Sequence, residues 1–210
     1  MHSVQPDPGQ LNEALAAAQR GDLAAFNTLV LAYQRQVFNV CYRTLGNGDD
    51  AADAAQDAFV SAMRGIQSFH GTIDGLRGWL LRIAVNACYD QLRRRQRRPS
   101  ESLDALQVTD AGDESDRFAD PRPGPDQRSL TAETGRQIQA ALDGLPTEQR
   151  LTVVLCDVQG LSYDEVAEAM DVELGTVKSR LSRARAQLLT LLREQGELPS
   201  GVQRLTDRNP

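Results

Sequence analysis

Residues 161–188, LSYDEVAEAMDVELGTVKSRLSRARAQL, decide the fold. Ser162 and Glu165 open the segment at the spacing of a capping box, in which a hydroxyl and a carboxylate satisfy the orphan N–H groups of a helix start. A short helix to Met170, a brief turn and a long helix from about Leu174 to Arg193 follow, which is helix-turn-helix spacing. In the long helix Val177, Leu181, Ala184 and Leu188 share one apolar face that must turn toward a core. Lys178, Ser179, Ser182 and Arg183 lie together on the opposite side, near the helix N-terminus. Basic and hydroxyl side chains there suit base edges in the major groove of duplex nucleic acid. Thr176, Arg180 and Arg185 flank this strip as candidates for phosphate, as do Ser162 and Tyr163 at the start of the preceding helix. A solvated helix face with routine charge is the competing reading of this segment taken alone.

Upstream, the same periodicity extends from Ile138 through Leu145, stops at Leu145-Pro146, and resumes from about Thr147 to Val158, where Gly160 ends the helix. Further toward the N-terminus, Leu15, Phe26, Leu29, Val30, Tyr33, Val37, Val40 and Cys41 recur at helical spacing, broken by a turn at Gly21-Asp22. A loop at Gly46-Asn47-Gly48-Asp49, with an N-cap at its end, opens a third helix to roughly Arg64. Phe69 to Gly78, Gly-rich and polar, reads as a loop, and Leu76 or Trp79 to about Arg95 as a fourth helix stopped before Pro99.

Between the two periodic regions, residues 100–127 hold eight acids against two Arg and a Pro/Gly cluster at Pro121, Pro123, Gly124 and Pro125, with little apolar periodicity. That composition cannot build a core of its own. The expected fold is therefore all-α: two small helical domains, 11–99 and 128–194, joined by a flexible acidic linker, 100–127, with a disordered tail at 195–210.

A net charge of −6 argues against coating nucleic acid by bulk attraction, yet the basic residues bunch. Five Arg occupy the six positions 93–98, and Lys178, Arg180, Arg183 and Arg185 fall within eight. Each bunch is a candidate phosphate strip. Cys41, Cys88 and Cys156 are widely spaced among apolar neighbours and read as small buried hydrophobes. With two His and no clustered Cys, a zinc site is excluded, and no nucleotide-cradling Gly loop supports an enzyme. Neither a signal peptide nor an apolar span of 18 residues is present, so a cytoplasmic protein with no membrane contact of its own is expected.

Residues 145–188, with GLSYDEVAEAM and GTVKSRLSRAR at their centre, resemble the C-terminal DNA-binding domain of sigma factors of the extracytoplasmic-function (group IV) type. DDAADAAQDAFVSAMRGIQSFHG and LRGWLLRIAVNACYDQLRRRQRR resemble the promoter-melting domain of the same family. The resemblance implies a factor without catalytic activity or cofactor, which binds core RNA polymerase and promoter DNA, duplex at the minus thirty-five element and single-stranded at the minus ten, and which is held by an anti-sigma factor. It makes Asp53, Gln56 and Asp57 the polymerase-docking face of the third helix. Phe69, His70 and Asn86 become the minus ten reader, with Arg93, Arg94 and Arg95 gripping phosphate nearby. A buried Asn satisfied by backbone is the competing reading of Asn86, and a solvated basic helix end that of the arginines. The sequence departs from the family pattern at Met63, where Trp is common, and at Ala55, where a larger aliphatic is usual, and the Phe69–Leu76 loop is about one residue longer than in some relatives.

As a relaxed coil the linker spans roughly 30 Å and fully extended about 95 Å. Promoter elements two or more helical turns apart, at about 34 Å per turn, need it stretched. The family resemblance suggests that it threads the basic channel for template and nascent RNA; a solvated spacer is the alternative. A free-standing dimeric helix-turn-helix regulator would leave the N-terminal domain unexplained.

Overall fold

The computed structural model describes residues 7–97 and 125–194, in two compact units divided at Pro99/Ser100. All regular structure among the described residues is helical. The expected linker before Pro125 and the expected tail after Glu194 lie outside the described residues.

The N-terminal unit is built from α1 (Pro8–Gln19), α2 (Leu23–Leu45), α3 (Gly48–Gly65), a 3₁₀ turn (Ile66–Ser68) and α4 (Ile73–Arg97). Its joints are written in its caps. Gly21 takes a φ of +96°, and the Asp22 carboxylate accepts from the N–H groups of Ala24 and Ala25 at 2.8 and 3.1 Å to start α2. Gly46 ends α2 in the left-handed region, and Asn47 starts α3 by accepting from the Asp50 N–H at 3.0 Å. The cap is thus Asn47, and Gly48 belongs to the helix; Asp49 and Asp50 favour its positive end.

Helix α3 buries only alanines, Ala51, Ala54, Ala55, Ala58 and Ala62, against α2 and α4. Small side chains let its backbone approach the larger Leu29, Val37, Val40, Leu76, Leu81 and Val85, all buried. Ala55 is thus a packing contact, and the exposed Met63 carries no core load. Cys41 and Cys88 meet between α2 and α4, where a hydrogen bond between the thiols and burial hold the Cys41 thiol well above its usual pKa. Both are free and buried, as is Cys156 of the other unit.

Helix α4 begins at Ile73, earlier than the glycines suggest. Leu76, Leu80 and Leu81 are all buried, and the apolar periodicity they form carries the helix through Gly75 and Gly78, where an added Cβ would meet nothing within 4 Å. Those glycines are tolerated in a helix and do not make a loop; the loop shrinks to 69–72.

The C-terminal unit comprises α5 (Pro125–Asp143), α6 (Thr147–Val153) running into a π turn (Val154–Val158), α7 (Tyr163–Met170) and α8 (Leu174–Glu194). Helix α5 starts three residues before the expected domain edge, with proline at its first position. Residues 151–156 are buried without a break, so α6 is the surrounded helix of the unit, and α8 covers it with Val177, Leu181, Ala184, Leu188 and Leu192. Arg150 ties the α5–α6 corner, donating from Nη1 to Asp143 Oδ1 and from Nη2 to the Asp143 carbonyl, both at 2.8 Å. Burial pulls its pKa down, offset in part by Asp143.

Candidate nucleic-acid interface

The entry to α7 is a complete capping box. The Ser162 hydroxyl accepts from the Glu165 N–H at 3.3 Å, and Glu165 Oε2 accepts from the Ser162 N–H at 2.7 Å, as the spacing of the two residues predicts. Asp171 closes α7 at φ +53°, a left-handed conformation that Asp tolerates better than most residues, and turns the chain into α8 within three residues. This turn sets the angle at which α8 presents its outer face.

On that face the basic residues divide into two pairs. Arg185 donates from Nε to Asp157 Oδ2 at 3.0 Å and from Nη2 to Oδ1 at 2.6 Å, its side chain one-fifth exposed and that of Asp157 8% exposed. That hydrogen bond raises its pKa, and the Tyr163 phenol adds to it from α7. Arg180 forms an ion pair with Glu148 of α6 at 3.2 Å, its N–H not aligned for a hydrogen bond. Lys178 and Arg183 are exposed and enter no ion pair among the described residues. Ser182 is exposed beside them, whereas Thr176 and Ser179 are half-buried and joined through the Ser179 hydroxyl, which donates to the Thr176 carbonyl at 3.0 Å. Arg180, Arg185 and Tyr163, expected on phosphate, are occupied inside the unit: the π turn carries Asp157 to α8, a juxtaposition invisible to helical periodicity.

In the N-terminal unit, Trp79, Ile83, Asn86, Asp90 and Arg93 follow one another at three- and four-residue steps along α4, one stripe of its surface. Asn86 is exposed, which removes the buried-amide reading. Phe69 and His70 sit in the loop before α4; His70 is exposed, but Phe69 is half-buried with its ring tilted 39° against Trp79 at 5.0 Å between centroids. Gln19, which the sequence did not single out, donates from Nε2 to the Phe69 carbonyl at 2.6 Å across fifty residues of chain.

The three arginines at the end of α4 behave differently from one another. Arg93 pairs with Asp90 at 2.9 Å and Arg94 with Asp57 at 3.0 Å, all well exposed and so weakly held. Arg95 binds Asp50 and also donates to the Leu45 carbonyl at 3.2 Å, fastening α4 to the end of α2 and the start of α3. Asp53, Gln56 and Asp57 are exposed together on the side of α3 opposite its alanines. No group of three or more His, Cys, Asp or Glu fit to hold a metal, and no helix long and apolar enough to cross a membrane, occurs among the described residues.

Residues 29–98 match the family model of Sigma-70 region 2, and residues 135–188 that of Sigma-70, region 4. Over 191 residues the chain is 41% identical to the ECF RNA polymerase sigma factor SigM of Mycobacterium tuberculosis, covering 90% of this chain and 87% of that protein. It is 38% identical over 174 residues to the ECF RNA polymerase sigma factor SigE of Mycolicibacterium smegmatis, covering 82% of this chain but only 63% of the relative's length. Among solved structures, the sigma factor RpoE in complex with the anti-sigma factor NepR from Bartonella quintana aligns with a TM-score of 0.61 at 27% identity, over 80% of this chain and 96% of that one.

Proposed function

The chain belongs to the ECF family of RNA polymerase sigma factors, which direct promoter-specific transcription, and on that premise we propose how its two units divide the promoter between them. The C-terminal unit reads the minus thirty-five element as duplex, with Lys178 and Arg183 on base edges and Ser182 beside them. The observation that carries this is the division of cations on α8: Arg180 and Arg185 are bound to carboxylates, while Lys178 and Arg183 stand exposed in the first half of the helix. An α-helix entering a major groove needs such donors, and bidentate Arg contacts discriminate bases by about 1 to 3 kcal/mol each. Ser162, at the start of α7, approaches phosphate.

The N-terminal unit captures the minus ten element as a melted strand, on the α4 stripe that runs from Trp79 past Asn86 to the terminal arginines. An exposed amide both donates and accepts, which suits the edge of a base removed from its stack. Arg93 and Arg94 are free enough of their surface pairs to exchange them for phosphate; Arg95 is reserved for holding the unit together. Asp53, Gln56 and Asp57 present an acidic and amide face to core polymerase. The likeness to a sigma factor solved with its anti-sigma factor supports an anti-sigma partner for this chain as well.

The test is to bind the reconstituted holoenzyme to a library of upstream duplexes. Arg183→Ala should flatten the ranking at one or two base pairs while leaving the thermal stability of the chain unchanged. An unaltered ranking would place the reading face elsewhere on α8.

A further inference from the structure

The loop between the 3₁₀ turn and α4 is held from three sides. From α1, Gln19 Nε2 donates to the Phe69 carbonyl at 2.6 Å, while next to the loop the Gln67 amide of the 3₁₀ turn reaches within 3.6 Å of where a Cβ on Gly21, between α1 and α2, would stand. From within the loop, the Phe69 ring folds over Gly71 so closely that a Cβ there would fall 2.4 Å from its Cζ. From α4, Trp79 meets the Phe69 ring at 5.0 Å and lies against Gly65, where a Cβ would come within 3.3 Å of Cζ2. A half-buried ring packed in this way is a wall and not a free stacking platform, and it leaves His70 and Thr72 as the loop side chains exposed to solvent.

We propose that Gln19 is a positioning residue for the minus ten loop: by fixing the Phe69 carbonyl it holds the loop in its reading conformation before DNA arrives, so that helix α1 sets base discrimination on the melted strand without touching it. This rests on the reading of that loop as a single-strand reader. The amide is suited to the task because it donates a partly buried hydrogen bond from the end of α1 to a backbone carbonyl that belongs to no helix. Without that bond the loop must be ordered at the moment of binding, and preorganisation is lost. A hydrogen bond of ordinary net strength corresponds to about a five- to tenfold change in an equilibrium.

The experiment uses the full chain bound to core polymerase and two labelled single strands: the best binder that the unaltered holoenzyme selects from a randomised ten-nucleotide pool, and its scrambled counterpart. Trp79 is the only tryptophan of the chain, so its emission in the free protein reports the loop directly. Gln19→Met keeps the reach and removes the N–H, and should lower the ratio of the two affinities about five- to tenfold, shift Trp79 emission, and leave core and upstream-duplex affinities within about twofold. Gln19→Lys restores a donor and should recover both the ratio and the emission. A ratio within twofold of the original for Gln19→Met, an unshifted emission, a parallel loss of core affinity, or failure of Gln19→Lys to recover each overturns the proposal. If the unaltered holoenzyme itself does not distinguish the two strands, the reading of the loop as a single-strand reader falls, and the role of Gln19 falls with it.

Discussion

Arg185 on α8 and Asp157 in the π turn are joined by two parallel hydrogen bonds of 3.0 and 2.6 Å, with the Asp157 side chain 8% exposed. This bidentate pair locks the helix that carries Lys178 and Arg183 to the central helix of its unit. Removing one partner would strand a buried charge. Arg185→Ala should therefore destabilise the C-terminal unit by about 3 to 5 kcal/mol, whereas replacing both residues by leucine should recover most of the loss. Urea denaturation followed by circular dichroism checks it; a single-variant loss below about 1 kcal/mol would mean the pair is ornamental.

Asn86→Ala should leave closed-complex formation intact and reduce open-complex formation, because an amide that meets a base after unstacking contributes nothing to duplex binding. A pre-melted template should return only part of the activity, since base capture stays impaired. Permanganate footprinting of the melted region separates the steps, and full recovery on the pre-melted template would confine Asn86 to melting.

Most of the helices were legible in the sequence because their signals are local: the Ser162 and Glu165 capping box, the Gly21-Asp22 turn, and the α8 face from Val177 to Leu188. The start of α4 was misread because Gly75 and Gly78 weigh toward loop in any local reading, while buried Leu76 and Leu80 weigh toward helix only once the core they enter exists. The candidate site was legible in its exposed members, Lys178, Arg183, Asn86 and His70. It was not legible in the division of labour among the cations, because Glu148, Asp157 and Asp50 take up Arg180, Arg185 and Arg95 across long sequence separations that no periodicity encodes.

Burial, with the Asp157 carboxylate nearby, pushes the Cys156 thiol from 9.0 up to about 11, Arg185 pulling the other way. The folded chain then keeps a proton that the unfolded chain has lost. The resulting stability is fully present below about pH 9 and is lost as pH rises through about 11. Cys156→Ala, which leaves a small cavity, should be less stable than the original chain by about 1 kcal/mol at pH 8. The gap should narrow by pH 10.5 as the original loses its thiol contribution; a gap that stays constant would show that the thiol does not titrate differently on folding.

In the proposed division of labour this chain contributes promoter choice and polymerase the chemistry. Run-off transcription tests it most directly: purified chain and core polymerase, on a pool of templates including the region upstream of its own gene, with each component also assayed alone. A discrete transcript is expected only when both are present, with a start site set by the upstream sequence, and it should be lost when Lys178 and Arg183 are both changed to alanine. Transcripts of the same start and yield from core polymerase alone, or no association between the chain and core polymerase, would contradict it.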